Sequence, residues 1–418
     1  MTPSALARLT AAELLEHAGT LLVLRTTGAA VEPLLCISAS GSVIGFCGHV
    51  DLGTGIRTAL AQIVAEELDI APERVEMVLG DTARAPDQGA TIASNSIQKA
   101  AVPLRSAAAQ ACAALLELAA ARLETHIAQL EVAEGRISIR NSDRSVTFGQ
   151  LIGSARIHLQ LNESQPLKAV SNYRVVGTRQ SRVDIPAKAT GQPVYVHDMR
   201  VDGMLHGRLV RPPYVGIDHG AFVGTSLISV DRDSIAHLPG IVAVVVEGDF
   251  IGIVAEREEQ AAAAAEALQV EWKPVPQQRE LDDLAAALTA NPSTPRRLQD
   301  KGNVDEALAG AARRLPRRYV WPYQLHGSIG PSCAVADVRS DGATVWSGTQ
   351  NPHDLRNDVA RLLDMPVVAV EVIRMEAAGC YGRNCADDVS ADAALLSRAV
   401  GRPVRVQLTR EQELLWEP

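Results

Sequence analysis

The chain has 418 residues, of which 47% are hydrophobic, 21% charged and only 3% aromatic, with a formal net charge of −9. That length allows two or three domains, and the composition is that of an ordinary globular protein. An acidic balance with no basic block excludes nucleic acid as a natural partner, and no apolar run approaches the ~20 residues that span a bilayer.

The N-terminal stretch Met1 to Gly19 reads as an amphipathic helix without the basic-then-apolar order of a secretory leader, so a cytoplasmic location is expected. The cysteines are Cys36, Cys47, Cys112, Cys333, Cys380 and Cys385. None forms a C-x-x-C pair, which argues against a self-contained zinc or iron–sulfur site. Cys36, Cys47 and Cys112 read as small buried hydrophobes.

In chain order, Leu34–Ser38 and Ser42–Phe46 are expected to be strands joined by a turn at Gly41. A glycine loop, Leu52-Gly53-Thr54-Gly55, then leads into a helix with Ile56, Leu60, Ile63 and Val64 on one face. Arg57, Glu66 and Glu67 fall off that face, as a half-buried helix requires. The strand Val75–Leu79 precedes a small-residue loop, Gly89–Ser96. An alanine-rich helix follows over roughly 100–123, then a strand pair around Gly135.

From about residue 166 the composition shifts toward valine, arginine and short strands: 194–196, 204–210, 242–246 and 251–255. A helix over 258–268 and a strand over 269–272 complete a small α+β block. Residues 274–297 read as a connector with one short helix. The final block alternates strand (344–347), helix (353–363), strand (368–374), loop (377–384), helix (388–400) and strand (404–408), and the sequence stops abruptly after it.

The loop of this last block, Gly379-Cys380-Tyr381-Gly382-Arg383-Asn384, repeats the strand–glycine–helix order of Gly53-Thr54-Gly55. Glycines at such junctions permit positive φ and leave amides uncovered near a helix N-terminus, which suits a large anionic or pterin-like ligand. Taken singly, each loop also fits a plain turn. Thr54 either caps the following helix or meets a ligand. His326, before a turn, fits a structural hydrogen-bonder, and Gln350 either caps the next helix or faces a ligand. Neither G-x-G-x-x-G nor G-x-x-x-x-G-K-[ST] occurs, nor any Ser-His-Asp arrangement or metal-ligand spacing. The residues alone lead to a cofactor-binding α/β protein.

Gly48-His49-Val50-Asp51-Leu52-Gly53-Thr54-Gly55-Ile56-Arg57 resembles a molybdopterin-binding segment of the xanthine-oxidase-type molybdenum hydroxylases. Val176-Gly177-Thr178 with the run Arg182 to Gly191 resembles the entry to the small α/β hammerhead domain of that family. Thr349 to His353 and Gly379 to Asn384 resemble its later molybdopterin segments, in the nicotinate dehydrogenase and isoquinoline oxidoreductase branch.

The resemblance implies an α+β fold in which molybdopterin-binding segments, 1–165 and 300–418, flank a hammerhead-like domain, 166–275, with 276–299 as linker. It implies a subunit of a hydroxylase that oxidises an N-heterocycle or aldehyde with water as oxygen source. The cofactor would be molybdopterin in its cytosine dinucleotide form. Electrons would leave through [2Fe–2S] clusters on a small partner subunit, toward an FAD or cytochrome c acceptor.

Gly53, Thr54, Gly55, Gly379, Cys380, Tyr381, Gly382 and Arg383 are the implied cofactor-binding residues. Cys385, His326 and Gln350 are the implied substrate-side residues. Many relatives carry glutamine where this sequence has Thr54, whose hydroxyl reaches less far. Cys385 stands where some place a substrate-orienting carboxylate. The general-base glutamate of the family has no counterpart among Glu411, Glu413 and Glu417, so it is expected on a second molybdopterin-binding chain. The other expectation is a non-catalytic assembly module, or a truncated product of a longer gene, that keeps the fold without a working site.

Overall fold

The computed structural model describes residues 5–28, 30–213, 222–275, 282–290, 292–322 and 324–416. The first four residues of the expected N-terminal helix, 276–281 and 291 of the expected connector, and Glu417 lie outside them.

Among the described residues, two large mixed sheets covered by helices, with a two-stranded sheet (Leu227–Asp231 and Gln269–Trp272) and a three-stranded sheet around Gly135 beside them, make an α+β architecture. The first has five strands in the order Val75–Leu79, Val43–Cys47, Ala30–Ser38, Thr20–Thr27, Arg156–Gln160. The inner pairs are antiparallel and both edge pairs parallel. Thr20–Thr27 holds an apolar run, Leu21 to Leu24, that is buried on both faces, which erases the period-two signal that marks a strand in sequence. Leu21 and Val23 pack under the helices Ile56–Leu68 and Ala101–Arg122, while Leu22 and Leu24 meet Leu14 of the short helix Ala11–Glu16 on the other face.

The expected solvent face of Ile56–Leu68 needs correction. Glu66 and Glu67 are buried. The Glu66 carboxylate accepts the amides of Arg174, Val175 and Val176 and pairs with Lys168; Glu67 pairs with Arg105 at 2.7 Å. Both carboxylates strap the segment around 168–176 onto the helix. Burial opposes ionisation of Glu66, but those amides and Lys168 together hold it below the ordinary carboxylate range.

Among the described residues, Ser96–Arg122 is long and apolar enough, by length and composition, to cross a membrane. Half of it is buried, and Leu104, Ala108, Ala111 and Leu115 pack into the core beneath the first sheet, as a core helix does.

The second sheet has seven strands: Ile241–Glu247, Phe250–Ala255, Leu205–Val210, Val404–Gln407, Cys333–Val338, Ala343–Ser347 and Val370–Arg374, in that order. The middle block therefore shares a sheet with the last one, through the parallel pair of Leu205–Val210 with Val404–Gln407. Helix Asp388–Val400 crosses this junction. A β-carbon at Gly207 would sit 2.7 Å, and at Gly252 2.5 Å, from Leu396 side-chain carbons, so both strands need glycine there. The expected strand at 194–196 is instead a single bridge, Tyr195 to Glu376, followed by a tight turn. The two sheets meet where Thr82 exchanges hydrogen bonds with the Val372 backbone.

Candidate cofactor site

The first glycine loop is set by Asp51. Its carboxylate accepts the amides of Gly53 (2.9 Å), Gly55 (3.2 Å) and Arg57 (3.1 Å), so it caps helix Ile56–Leu68 from five residues upstream. Thr54 does not cap the helix; it is exposed, and its amide donates no hydrogen bond among the described residues. Gly53 and Gly55 stand at φ 98° and 81°, conformations that disfavour any side chain.

Arg182 closes over this loop. Its Nη1 donates to the Gly53 carbonyl at 2.8 Å, and a β-carbon on Gly55 would lie 3.1 Å from its side chain. Its other nitrogens fork onto Asp184 at 3.0 and 2.6 Å. That fork holds the Asp184 carboxyl well below the ordinary carboxylate range. Lys188 then bridges Asp184 (2.8 Å) to Glu376 (3.3 Å), which also takes Arg374 at 3.0 Å. The chain of ion pairs thus runs from the first glycine loop to a residue three positions before Gly379.

The second loop is a backbone nest. Gly379, Tyr381 and Gly382 have φ of 121°, 54° and 113°. Among the described residues, the amides of Gly379, Cys380, Tyr381 and Gly382 donate no hydrogen bond. Consecutive uncommitted amides in such a turn form a concavity for an anion or an electron-rich heteroatom. Close packing keeps the backbone there: a β-carbon on Gly379 would lie 3.1 Å from the Ile329 nitrogen, and one on Gly382 2.8 Å from His326 Nε2.

The structure brings His326, Gln350, Cys380 and Gly382 together. Buried Gln350 does not cap the next helix. Its Oε1 accepts the Cys380 thiol at 2.9 Å, its Nε2 donates to the Thr91 carbonyl at 3.0 Å, and its own carbonyl accepts the Thr91 amide. It therefore joins the second glycine loop to the Gly89–Ser96 loop of the first sheet.

Arg383 takes a different course: its side chain is buried, pairing with Asp388 at 2.9 Å and approaching Glu413 Oε1 at 3.6 Å. Glu413, which no sequence motif singles out, is fully buried and accepts both the amide and hydroxyl of Ser332. Cys385 is exposed just beyond the loop. Cys36 and Cys47 are fully buried and Cys112 partly so, with burial pushing each thiol up to about 12, as small core residues should behave.

Asp51, Arg182, Asp184, Lys188 and Glu376 build the site without announcing themselves in the sequence. The first four lie inside the recognised motifs, but their partners are set by tertiary approach, for which spacing carries no signal.

Two molybdopterin cofactor-binding domain matches cover residues 18–205 and 290–417, each containing one glycine loop. The chain is 58% identical over 385 residues, 92% of its length, to a nicotinate dehydrogenase subunit of Pseudomonas putida. The chain belongs to the xanthine-oxidase-type molybdopterin-binding family. The beta subunit of isoquinoline 1-oxidoreductase from Brevundimonas diminuta is 29% identical over 93% of the chain. The membrane-bound aldehyde dehydrogenase [pyrroloquinoline-quinone] of Gluconacetobacter polyoxogenes is 27% identical over 93%. The chain spans 32% of the first of these proteins, 56% of the second and 52% of the third. Within the molybdopterin-binding frame, the uncommitted amides at 379–382 and at Thr54 are groups a pterin cofactor can use.

Proposed function

We propose that this chain is the molybdopterin-holding part of a molybdenum hydroxylase that oxidises an N-heterocycle of nicotinate type, or an aldehyde, with water as the source of oxygen. The observation that carries the reading is the 58% identity to the Pseudomonas putida nicotinate dehydrogenase subunit over nearly the whole chain.

The cradle fits the group. Gly379 to Gly382 present amides in a fold that a side chain would obstruct, and Ser328 and Gln350 hold Cys380 from two sides. Thr54 presents an amide and an exposed hydroxyl on the other loop. The bound molybdenum cofactor supplies the acceptor for two electrons and the site at which water is activated. This chain's residues bind and orient it: the Arg182–Asp184–Lys188–Glu376 pairs set the spacing of the two loops. Cys385 is exposed just past the second loop, in keeping with a substrate-side position. The reading further takes the cofactor to be the cytosine dinucleotide form. It assigns the general base to a second molybdopterin-binding chain, and electron exit to a small [2Fe–2S] subunit with an FAD or cytochrome c acceptor beyond it.

Co-expression of the chain with those partners tests the reading. The purified complex is expected to contain molybdenum and to release cytidine monophosphate on acid hydrolysis. A correctly assembled complex without either would favour the non-catalytic assembly module.

A further inference from the structure

A cavity of about 370 Å³ lies in the middle block, within the roughly 300–1,000 Å³ of small-molecule sites. None of its lining residues belongs to either glycine loop. Val210 ends one strand, Phe250 and Ile251 open the next, and Trp416 follows the helix Arg410–Leu415, so three separate elements wall it. The chain has only four phenylalanines and four tryptophans, and one of each lines this space. Such a lining favours a flat aromatic guest, because ring-on-ring contact adds to the burial of apolar surface.

The charged groups on the wall are largely committed to the protein. Asp249 accepts the amides of Ser226 and Leu227 and the Ser226 hydroxyl. Both oxygens of Glu247 take Arg398 at 3.0 Å. Arg211 pairs with Asp392 at 2.6 Å and reaches Asp388 at 3.4 Å, with its guanidinium 5.2 Å from the centre of the Trp416 ring. One donor is left over: Arg211 Nε is buried and meets no hydrogen-bond partner among the described residues. Two carboxylates already offset the arginine's charge, so an entering anion would be repelled by them. A neutral acceptor would satisfy the donor without that cost.

We infer that this cavity binds an uncharged aromatic ligand, of one or two fused six-membered rings, whose ring nitrogen or carbonyl oxygen accepts the Arg211 Nε–H. Val210, Phe250 and Ile251 supply the apolar wall, and Trp416 is held in place by its contact with the guanidinium. Asp388 pairs with both Arg211 and Arg383, so a single carboxylate separates the bound ring's partner from the second glycine loop. The inference goes beyond the proposed function, since the site lies outside both loops and needs neither pterin nor metal.

The experiment titrates the full chain, labelled with 5-fluorotryptophan, with quinoline, naphthalene and quinoline-2-carboxylate. Fluorine NMR reads Trp416 directly, its resonance assigned by loss in Trp416→Phe. Quinoline is expected to move that resonance saturably, while the carboxylate leaves it unmoved at the concentration that saturates quinoline. Arg211→Lys keeps a positive charge beside Asp392 but lacks the Nε donor. It should weaken quinoline about fivefold, the value of one hydrogen bond, and leave naphthalene unchanged. Val223 lines the cavity from an exposed position, so Val223→Trp should fill it and abolish the shift while the circular dichroism melt matches the wild type. Absence of a saturable shift, or equal quinoline binding by Val223→Trp, would overturn the site. Tighter binding of the carboxylate than of quinoline would overturn the neutral ligand. None of these outcomes bears on molybdenum content, so the proposed function stands or falls separately.

Discussion

Arg182 donates from Nη1 to the Gly53 carbonyl at 2.8 Å while its other nitrogens grip Asp184, so a residue of the middle block sets the first glycine loop. From Asp184 the pairing passes through Lys188 to Glu376, just ahead of the second loop. The two loops are therefore held in register by side chains that neither loop contains.

Arg182→Ala should loosen the first loop without unfolding the chain, because the arginine is partly exposed and Asp51 still caps the helix. With a hydrogen bond contributing ~1 kcal/mol, exchange of the Gly53, Gly55 and Arg57 amides, which donate to Asp51, should quicken about fivefold while the melting temperature changes little. Unchanged exchange would show that Asp51 alone fixes the loop.

Glu413 is the buried counterion of Arg383 and the acceptor for Ser332. Glu413→Ala leaves a fully buried guanidinium with Asp388 as its remaining partner and orphans the Ser332 amide. Breaking a buried pair in this way costs about 3 kcal/mol or more, and denaturant titration should show it. Glu413→Gln, which keeps the acceptor, should lose less.

Burial pushes the Asp387 carboxyl up to about 8 against the pull of the Thr349 hydroxyl. Its folded value stands above its unfolded one, so its contribution is full in acid and is lost progressively as pH rises from about 4 to 8. Asn accepts the same hydrogen bond and tolerates the left-handed backbone at this position, φ 55°. Asp387→Asn should therefore gain stability relative to the wild type as pH rises from about 5 to 8. A constant difference in melting temperature across that range would refute the assignment. Asp392, raised to about 7 by burial, leaves a residual slope in both proteins.

Cys385 is the exposed thiol among the cysteines, while Cys36, Cys47, Cys333 and Cys380 are buried. Titration of the native chain with a thiol reagent, read by peptide mass, should modify Cys385 first and the buried thiols only after unfolding. Early labelling of Cys380 would mean that its contact with Gln350 opens readily.

Much of this architecture is legible in the sequence. Val75–Leu79, Gln269–Trp272 and Asp388–Val400 carry clean periodic or capped patterns, and their bounds match almost residue for residue. Thr20–Thr27 and Cys333–Val338 escape because strands buried on both faces look like any short apolar run. The glycine loops are visible as motifs. What holds them is not: the Lys188–Glu376 pair spans 188 positions in sequence, and Gln350 reaches back to Thr91. The sharing of one sheet by the middle and last blocks is hidden for the same reason, since register between Leu205 and Val404 is a matter of tertiary approach.

The central claim, that the loops at Gly53–Gly55 and Gly379–Gly382 hold molybdopterin, is tested most directly by elemental and nucleotide analysis of the chain assembled with its partner subunits. The account predicts close to one molybdenum and one cytidine monophosphate per chain, both falling sharply in Gly382→Val, whose side chain would strike His326. A stable, stoichiometric complex containing neither, or one whose content is unmoved by that substitution, would contradict it.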